Sequence, residues 1–308
     1  MKKAAIATAI LSALVSGSTL AATVYDKEGT SLKIGGRAEA RFNISDNNES
    51  DADGTSSFED KSRARVNIKG KTQVTDSLYG FGKYETEFDT DDEVNNRYVF
   101  AGIGTEFGEF SYGKQDSAQV MLTDFTDTLA TFGGEAADAV DGNKDKRTNN
   151  FLYSGKFDAV KLQMNYIAAD EQDADSFGLA ALYSADMFSV GAGYVSQENG
   201  DDDDNQINFA GELSLDMFTL GALYTMAEVG DDDYDGIELS AKMKASKELS
   251  LLAVYNKGEY DDAGDIVDEF TLEAVYKFNG HIRTYAGYKF QQIDDSDDEL
   301  QAGIRYDF

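Results

Sequence analysis

An alternation with a period of two residues governs this chain. Within residues 31–44 the even positions are Leu32, Ile34, Gly36, Ala38, Ala40, Phe42 and Ile44, all apolar or small. The odd positions are Lys33, Gly35, Arg37, Glu39, Arg41 and Asn43, mostly charged or polar. Successive side chains of a β-strand point to opposite faces, so this segment has one apolar face and one wet face. The pattern returns at Ala64, Val66, Ile68, Gly70, Thr72 and Val74, set against Arg63, Arg65, Asn67, Lys69, Lys71 and Gln73. It recurs across 160–166, 237–243, 270–278 and 300–308.

The connections alternate in length. Short ones fall at 75–77, 184–186, 216–217 and 279–280. Long, acidic ones fall at 45–60, 89–96, 170–175, 198–205, 230–235, 260–268 and 293–298, and the longest runs from about 115 to 145. Counting the segments between breaks predicts sixteen strands, with seven short turns and eight long loops. An even number of alternating strands, with short turns at one end and long loops at the other, describes a transmembrane β-barrel. A spanning sheet has to close, because hydrocarbon cannot satisfy an open edge. Sixteen strands leave an aqueous lumen, where about eight would be filled by side chains. Aromatics on the apolar parity, among them Tyr84, Phe88, Tyr98, Phe188, Tyr224 and Tyr288, fall near strand ends and predict interfacial girdles. A soluble β-sandwich also alternates, but does not need so many strands with so regular a long–short rhythm. The expected fold class is all-β, a 16-stranded antiparallel transmembrane β-barrel.

The N-terminus sets the compartment. Lys2 and Lys3, an apolar stretch over 4–15, and the small residues of 17–22 form a secretory signal peptide, with cleavage expected after Ala21. The domains are then a signal peptide at 1–21 and a barrel at 22–308. Beyond residue 21 no apolar run approaches the ~20 residues a membrane helix needs.

Composition removes several chemistries. The chain has no cysteine and one histidine, His281, which excludes thiol catalysis, zinc–thiolate sites, disulfides and a histidine-rich metal site. A net charge of −31 makes nucleic acid a poor partner. Asp231, Asp233, Asp235 and Gly236 imitate the start of an EF-hand, but the twelfth position is Lys242. Asp141, Asn143 and Asp145 fail likewise, with Lys146 where glycine is required. Weak divalent-cation binding by acidic loop tips such as 201–204 stays open. A catalytic barrel would need a base, and His281, beside a short turn, has no serine motif to serve. No enzyme activity, cofactor or metal is expected.

Several stretches together resemble the general diffusion porins of Gram-negative outer membranes, in particular those of the vibrio group. They are residues 31–41 (SLKIGGRAEAR), 80–85 (GFGKYE), 96–102 (NRYVFAG), 108–113 (GEFSYG), the Phe132-Gly133-Gly134 triplet of the longest loop, and the terminal Tyr306-Asp307-Phe308. The terminal triplet is similar to the signal that barrel-assembly machinery recognises. The resemblance implies a homotrimer in the outer-membrane lipid, whose third loop (115–146) folds into the lumen as a constriction. It implies a basic wall ladder of Arg37, Arg65, Arg97 and Arg147 facing the loop acids Asp127, Glu135 and Asp138. Thr131 stands where the family carries an acid. The residues themselves agree in part, since Arg37, Arg65 and Arg97 lie on the wet parity of their segments.

The expected function is passive diffusion of small hydrophilic solutes and ions, with cations preferred because of the acidic loops. An oligosaccharide-selective channel is the alternative within transport, although such paths favour aromatics and this chain has no tryptophan. A surface-binding barrel, an adhesin or phage receptor acting through its loops, is the alternative outside it.

Overall fold

A computed structural model describes residues 21–50, 56–90, 93–171, 173–200 and 202–308. The expected signal peptide, apart from Ala21, lies outside the described residues. In chain order the strands begin with β1 (Ala22–Lys27), β2 (Thr30–Ile44), β3 (Phe58–Asp60), β4 (Arg63–Thr75), β5 (Leu78–Asp89) and β6 (Val94–Thr105). They continue with β7 (Gly108–Gln115), β8 (Arg147–Phe157), β9 (Val160–Ile167), β10 (Ser176–Ser184), β11 (Phe188–Asn199) and β12 (Asp202–Ser214). The last are β13 (Phe218–Val229), β14 (Asp232–Lys244), β15 (Leu249–Tyr260), β16 (Gly264–Lys277), β17 (Ile282–Gln291) and β18 (Glu299–Asp307).

All eighteen belong to one antiparallel sheet. β1 and the three-residue β3 pair with β2. The remaining sixteen form the closed ring, each paired to its neighbours in sequence, with β18 returning to β2 from Leu300↔Ile44 to Asp307↔Arg37. At this seam β1 and β18 lie end to end on the same edge of β2. Gly36 exchanges both backbone hydrogen bonds with Phe308, and Ala21 lies against Gly35. A Cβ at Gly36 would stand 2.4 Å from the Arg65 carbonyl and 2.5 Å from the Phe308 ring, so glycine is required there.

Alternation becomes geometry along every long strand. Phe209, Leu239 and Leu272 are 47–48% exposed, while their sequence neighbours Asn208, Glu238 and Thr271 are at most 2% exposed. The sheet is thus inside out relative to a soluble protein, apolar on its outer surface and polar within, as a barrel solvated by lipid requires. β-Branched and aromatic side chains supply most of that outer face and also favour extended backbone.

Two sequence expectations change. Tyr98 is not part of the outer girdle. Glu85 pairs with Tyr98 and Thr86 with Asn96, so Arg97 is the extra residue of a β-bulge. A bulge re-aims the strand that carries it, and Tyr98 turns to the polar face with Arg97, donating to Asp116 at 2.9 Å. Second, several acidic stretches read as loops are strand. In the 198–205 stretch, Glu198↔Asp203 and Gln197↔Asp204 extend the β11–β12 hairpin, and β13–β14 pair as far as Val229↔Asp232. Charge marks these hairpin ends as lying in water; it does not stop the ladder.

Candidate functional site

The polar face of β2, β4, β5 and β6 carries a ladder of opposite charges. Strand register puts Arg37 directly opposite Arg65, and Arg65 opposite Glu87. Like charges across a strand pair repel, and acids one step along offset them. Glu39 receives Arg63 Nε at 2.8 Å and lies 3.7 Å from Arg37, and Tyr285 donates to its other oxygen at 2.8 Å. Glu87 is bonded by Arg65 and stands 3.7 Å from Arg63 and 3.9 Å from Arg97. Glu85 takes Arg97 Nε at 3.0 Å. Arg37, Arg65 and Arg97 are therefore brought together, and their neutralising partners are carboxylates of the wall.

Arg147 stands apart from them. It opens β8 beside a register shift, flanked by Lys146 and Asn149, both at φ +53°. Its acidic neighbour is Asp141, 3.9 Å away. The four arginines thus form a trio and a separate residue at the root of the long loop.

That loop, 116–146, contains the single helical turn α1 (Val120–Thr123) and a 3₁₀ turn at Asp141–Asn143. It lies against the polar face of β9 to β17. Ala118, Met121, Leu122 and Ala137 bury themselves among Ala180, Ala210 and Leu223, and Val140 packs with Val195, Ala227 and Tyr234. Under the loop, then, the otherwise polar parity carries apolar side chains. Backbone also comes very close. A Cβ at Gly221 would stand 2.1 Å from the Phe125 carbonyl, and one at Gly236 would stand 2.0 Å from the Ala136 carbonyl.

Asp127, Glu135 and Asp138 all keep exposed side chains while the neighbouring Ala136, Ala137 and Val140 are covered. Their surroundings differ. Asp127 and Asp138 share a field with Asp124, Asp141, Asp145 and Lys144. Glu135 faces chiefly Glu269, Lys289 and Glu299, with Asp138 a weaker neighbour. Protein atoms crowd these carboxylates although water still reaches them. Desolvation, with neighbouring acids adding to it, lifts Asp124 to about 7 and Asp138 to about 6. Asp127 and Glu135 move upward for the same leading reason. Asp141, hydrogen-bonded by Lys144, moves down.

The sequence reading did not single out Arg63, Glu39, Glu85 and Glu87, nor the buried Glu238 and Glu273. Parity places all of them on the wet face, but their partners lie on other strands or in the loop. Among the described residues no group of three or more His, Asp or Glu is placed to hold a metal ion.

The comparisons agree with this architecture. The family model described as Gram-negative porin matches residues 7–296. Porin-like protein L of Photobacterium profundum is 36% identical over the full length of both chains. Outer membrane protein U of Vibrio vulnificus is 34% identical, again over both full lengths. Among solved structures, Salmonella typhi OmpF in complex with daunomycin superposes with a TM-score of 0.82 at 19% identity, covering 93% of this chain and all of that one. Such relatives are non-enzymatic channels of the outer membrane. A closed sixteen-stranded wall, apolar outside and charged within, together with a full-length family match, makes this chain a member of the Gram-negative porin family, a channel of the cell outer membrane.

Proposed function

We propose that the channel passes small hydrophilic solutes and ions by passive diffusion and prefers cations. The observation that carries this reading is the inequality between the two charged sets. The arginines of the wall pair with Glu39, Glu85 and Glu87, whereas Asp127, Glu135 and Asp138 present exposed carboxylates on the loop, Asp127 taking the Gly134 N–H. A constriction at 115–146, with acids on one side and a near-neutral ladder on the other, lowers the energy of a passing cation and orients dipolar solutes. A planar-bilayer measurement of reversal potential in a salt gradient tests it. A potential of the sign set by cations supports the reading, and zero or the opposite sign refutes it.

The assembly we propose is a homotrimer joined through β18, β2 and β4. The outer face there is lined by small residues, Ala38, Ala40, Ala64 and Ala302, forming a hollow bordered by Ile304 and Tyr306. Elsewhere the outer band of large apolar side chains suits lipid. Mass measurement of the detergent-solubilised protein decides between one and three copies. The segment 1–21 is removed on export in this reading, which N-terminal sequencing of the mature protein checks.

A further inference from the structure

We infer that the periplasmic vestibule of the lumen is a binding site for polyvalent anions bearing phosphate groups; this rests on the open-channel reading above. It is built from an arc of cations at the short-turn end of the polar face, running from β14 through the seam to β5. Register sets Lys33 directly opposite Lys69, and Lys69 opposite Lys83. On the other side of the seam Lys277 stands opposite Arg283, and Arg283 opposite Arg305. Lys242 and Lys244 share a field with Lys277 and Arg283.

Like charges directly opposite one another repel. Higher on the same wall, acids one step along relieve the repulsion between Arg37 and Arg65. The arc is not relieved in this way. Its acid is Asp307, and Arg283 at 2.9 Å and Arg305 at 2.6 Å already occupy both of that carboxylate's oxygens. Among the described residues Lys33, Lys69, Lys242, Lys244 and Lys277 form no ion pair. Arg37, across from Asp307 and 9% exposed, keeps its Nε buried without an acceptor. These are donors still short of an anion.

Elsewhere on the rim the balance differs. Lys156 stands opposite Lys161, but Lys161 shares its field with Asp124 and Glu109. The excess of positive charge is therefore one-sided. A low-dielectric wall lined by one sign of charge focuses its field into the cleft, and arrays of Lys and Arg line pores that take anions and phosphate. Lysine suits the task, as a compact charge with three donors on a flexible stem. A polyvalent anion gains from several of these lysines at once, whereas chloride gains from one. Entering past the short turns, such an anion meets the arc first; entering past the loops, it meets the exposed acids first. Occupancy neutralises the arc, so the lumen becomes more negative and cation preference rises.

The probe is inorganic tripolyphosphate, as its potassium salt and free of divalent cations. Its binding to refolded full-length barrels is read by phosphorus NMR linewidth, and reversal potential in planar bilayers is measured in parallel. K33Q/K69Q/K277Q is compared with wild type and with K156Q/K161Q on the opposite side of the rim. Each arc lysine withdrawn weakens binding about fivefold, the factor equivalent to ~1 kcal/mol, so the triple weakens it about a hundredfold. K33R/K69R/K277R, which keeps the charge, should hold the anion. Raising the salt to about 1 M, where the screening length falls to about 3 Å, should release it. If the glutamine triple fails to form a heat-modifiable barrel, K33Q/K69Q and K277Q are read separately. Tripolyphosphate on the turn face should shift the reversal potential toward cations, and on the loop face it should do less. Biotinylated D186C, in a short turn of a chain without cysteine, identifies the faces by streptavidin capture. Equal losses in the glutamine triple and K156Q/K161Q, no binding by wild type, or an equal response from both faces overturns the site. Arc-dependent binding in barrels that never conduct sustains the site and overturns the open-channel reading.

Discussion

The polar face of this barrel is used in two ways. On β2 to β6 it holds charges that satisfy one another, Arg37, Arg63, Arg65 and Arg97 against Glu39, Glu85 and Glu87. On β9 to β17 it holds amides, carboxylates and a few alkyl groups that satisfy the loop. The first half pairs within the wall, with Arg37 Nε left without a hydrogen bond, and the second pairs with residues 116–146. The difference teaches where electrostatic freedom lies. On the proposed reading, charges matched on the wall tune the field weakly and charges carried on the loop set it.

The largest effect should come from breaking the self-contained half. Replacing Arg37, Arg65 and Arg97 together by alanine leaves the wall acids with much of their compensation gone, and destabilisation of about 3–5 kcal/mol is expected in urea or thermal unfolding. Cation preference should rise in the same variant, and the glutamine triple at Glu39, Glu85 and Glu87 should move the reversal potential the other way.

A smaller change is expected from G236V, which drives a side chain into the Ala136 carbonyl. Overpacking of this kind costs about 1–3 kcal/mol. Here it should appear as faster hydrogen exchange in 126–140 with the wall intact, and equal exchange would show that the loop does not depend on its seat.

Smaller again is the combined D127N/E135Q/D138N variant, which removes three exposed carboxylates and should lower cation preference at nearly unchanged stability. If reversal potential does not move, the acids that matter lie elsewhere.

The mildest change needs no mutation. Asp124 and Asp138 take up protons near 7 and 6, so lowering the pH from 8 to 5 removes close to two negative charges from the loop. Cation preference should fall across that window, and D124N/D138N should flatten the response. The stability sign follows from linkage. Both groups hold protons more tightly folded than unfolded, so their ionisation works against the fold, and this penalty is relieved as pH falls through 7 and 6.

Much of the fold was legible because the side-chain period of a strand is two wherever pairing is regular. It failed at Tyr98, where one extra residue, Arg97, reset the parity; local sequence carries no mark of such a bulge. It also failed at 198–205, where acidity suggested a loop and backbone pairing continued through it. Strand propagation depends on the partner strand, and charged side chains standing in water do not oppose it. The candidate site was legible by residue type and parity. Arg37, Arg65 and Arg97 could be placed on the wet face, but the pairing of Arg63 with Glu39 joins strands that meet by register, not by proximity in sequence. Glu238 and Glu273 were invisible for the same reason, since what distinguishes them from other wet-face acids is the loop backbone they receive.

The seam between β18 and β2 bears on how the barrel comes into being. Asn43 donates to Glu299 across 256 residues of chain, so the ring is sealed by its most distant parts. Folding rates fall as contacts become less local, and closure of this pair is the least local step available. Until it happens, every hairpin can zip against its neighbour while the growing sheet keeps two raw edges, each able to recruit a stray strand. The architecture therefore calls for an escort during assembly, something that shields one edge until Phe308 reaches Gly36.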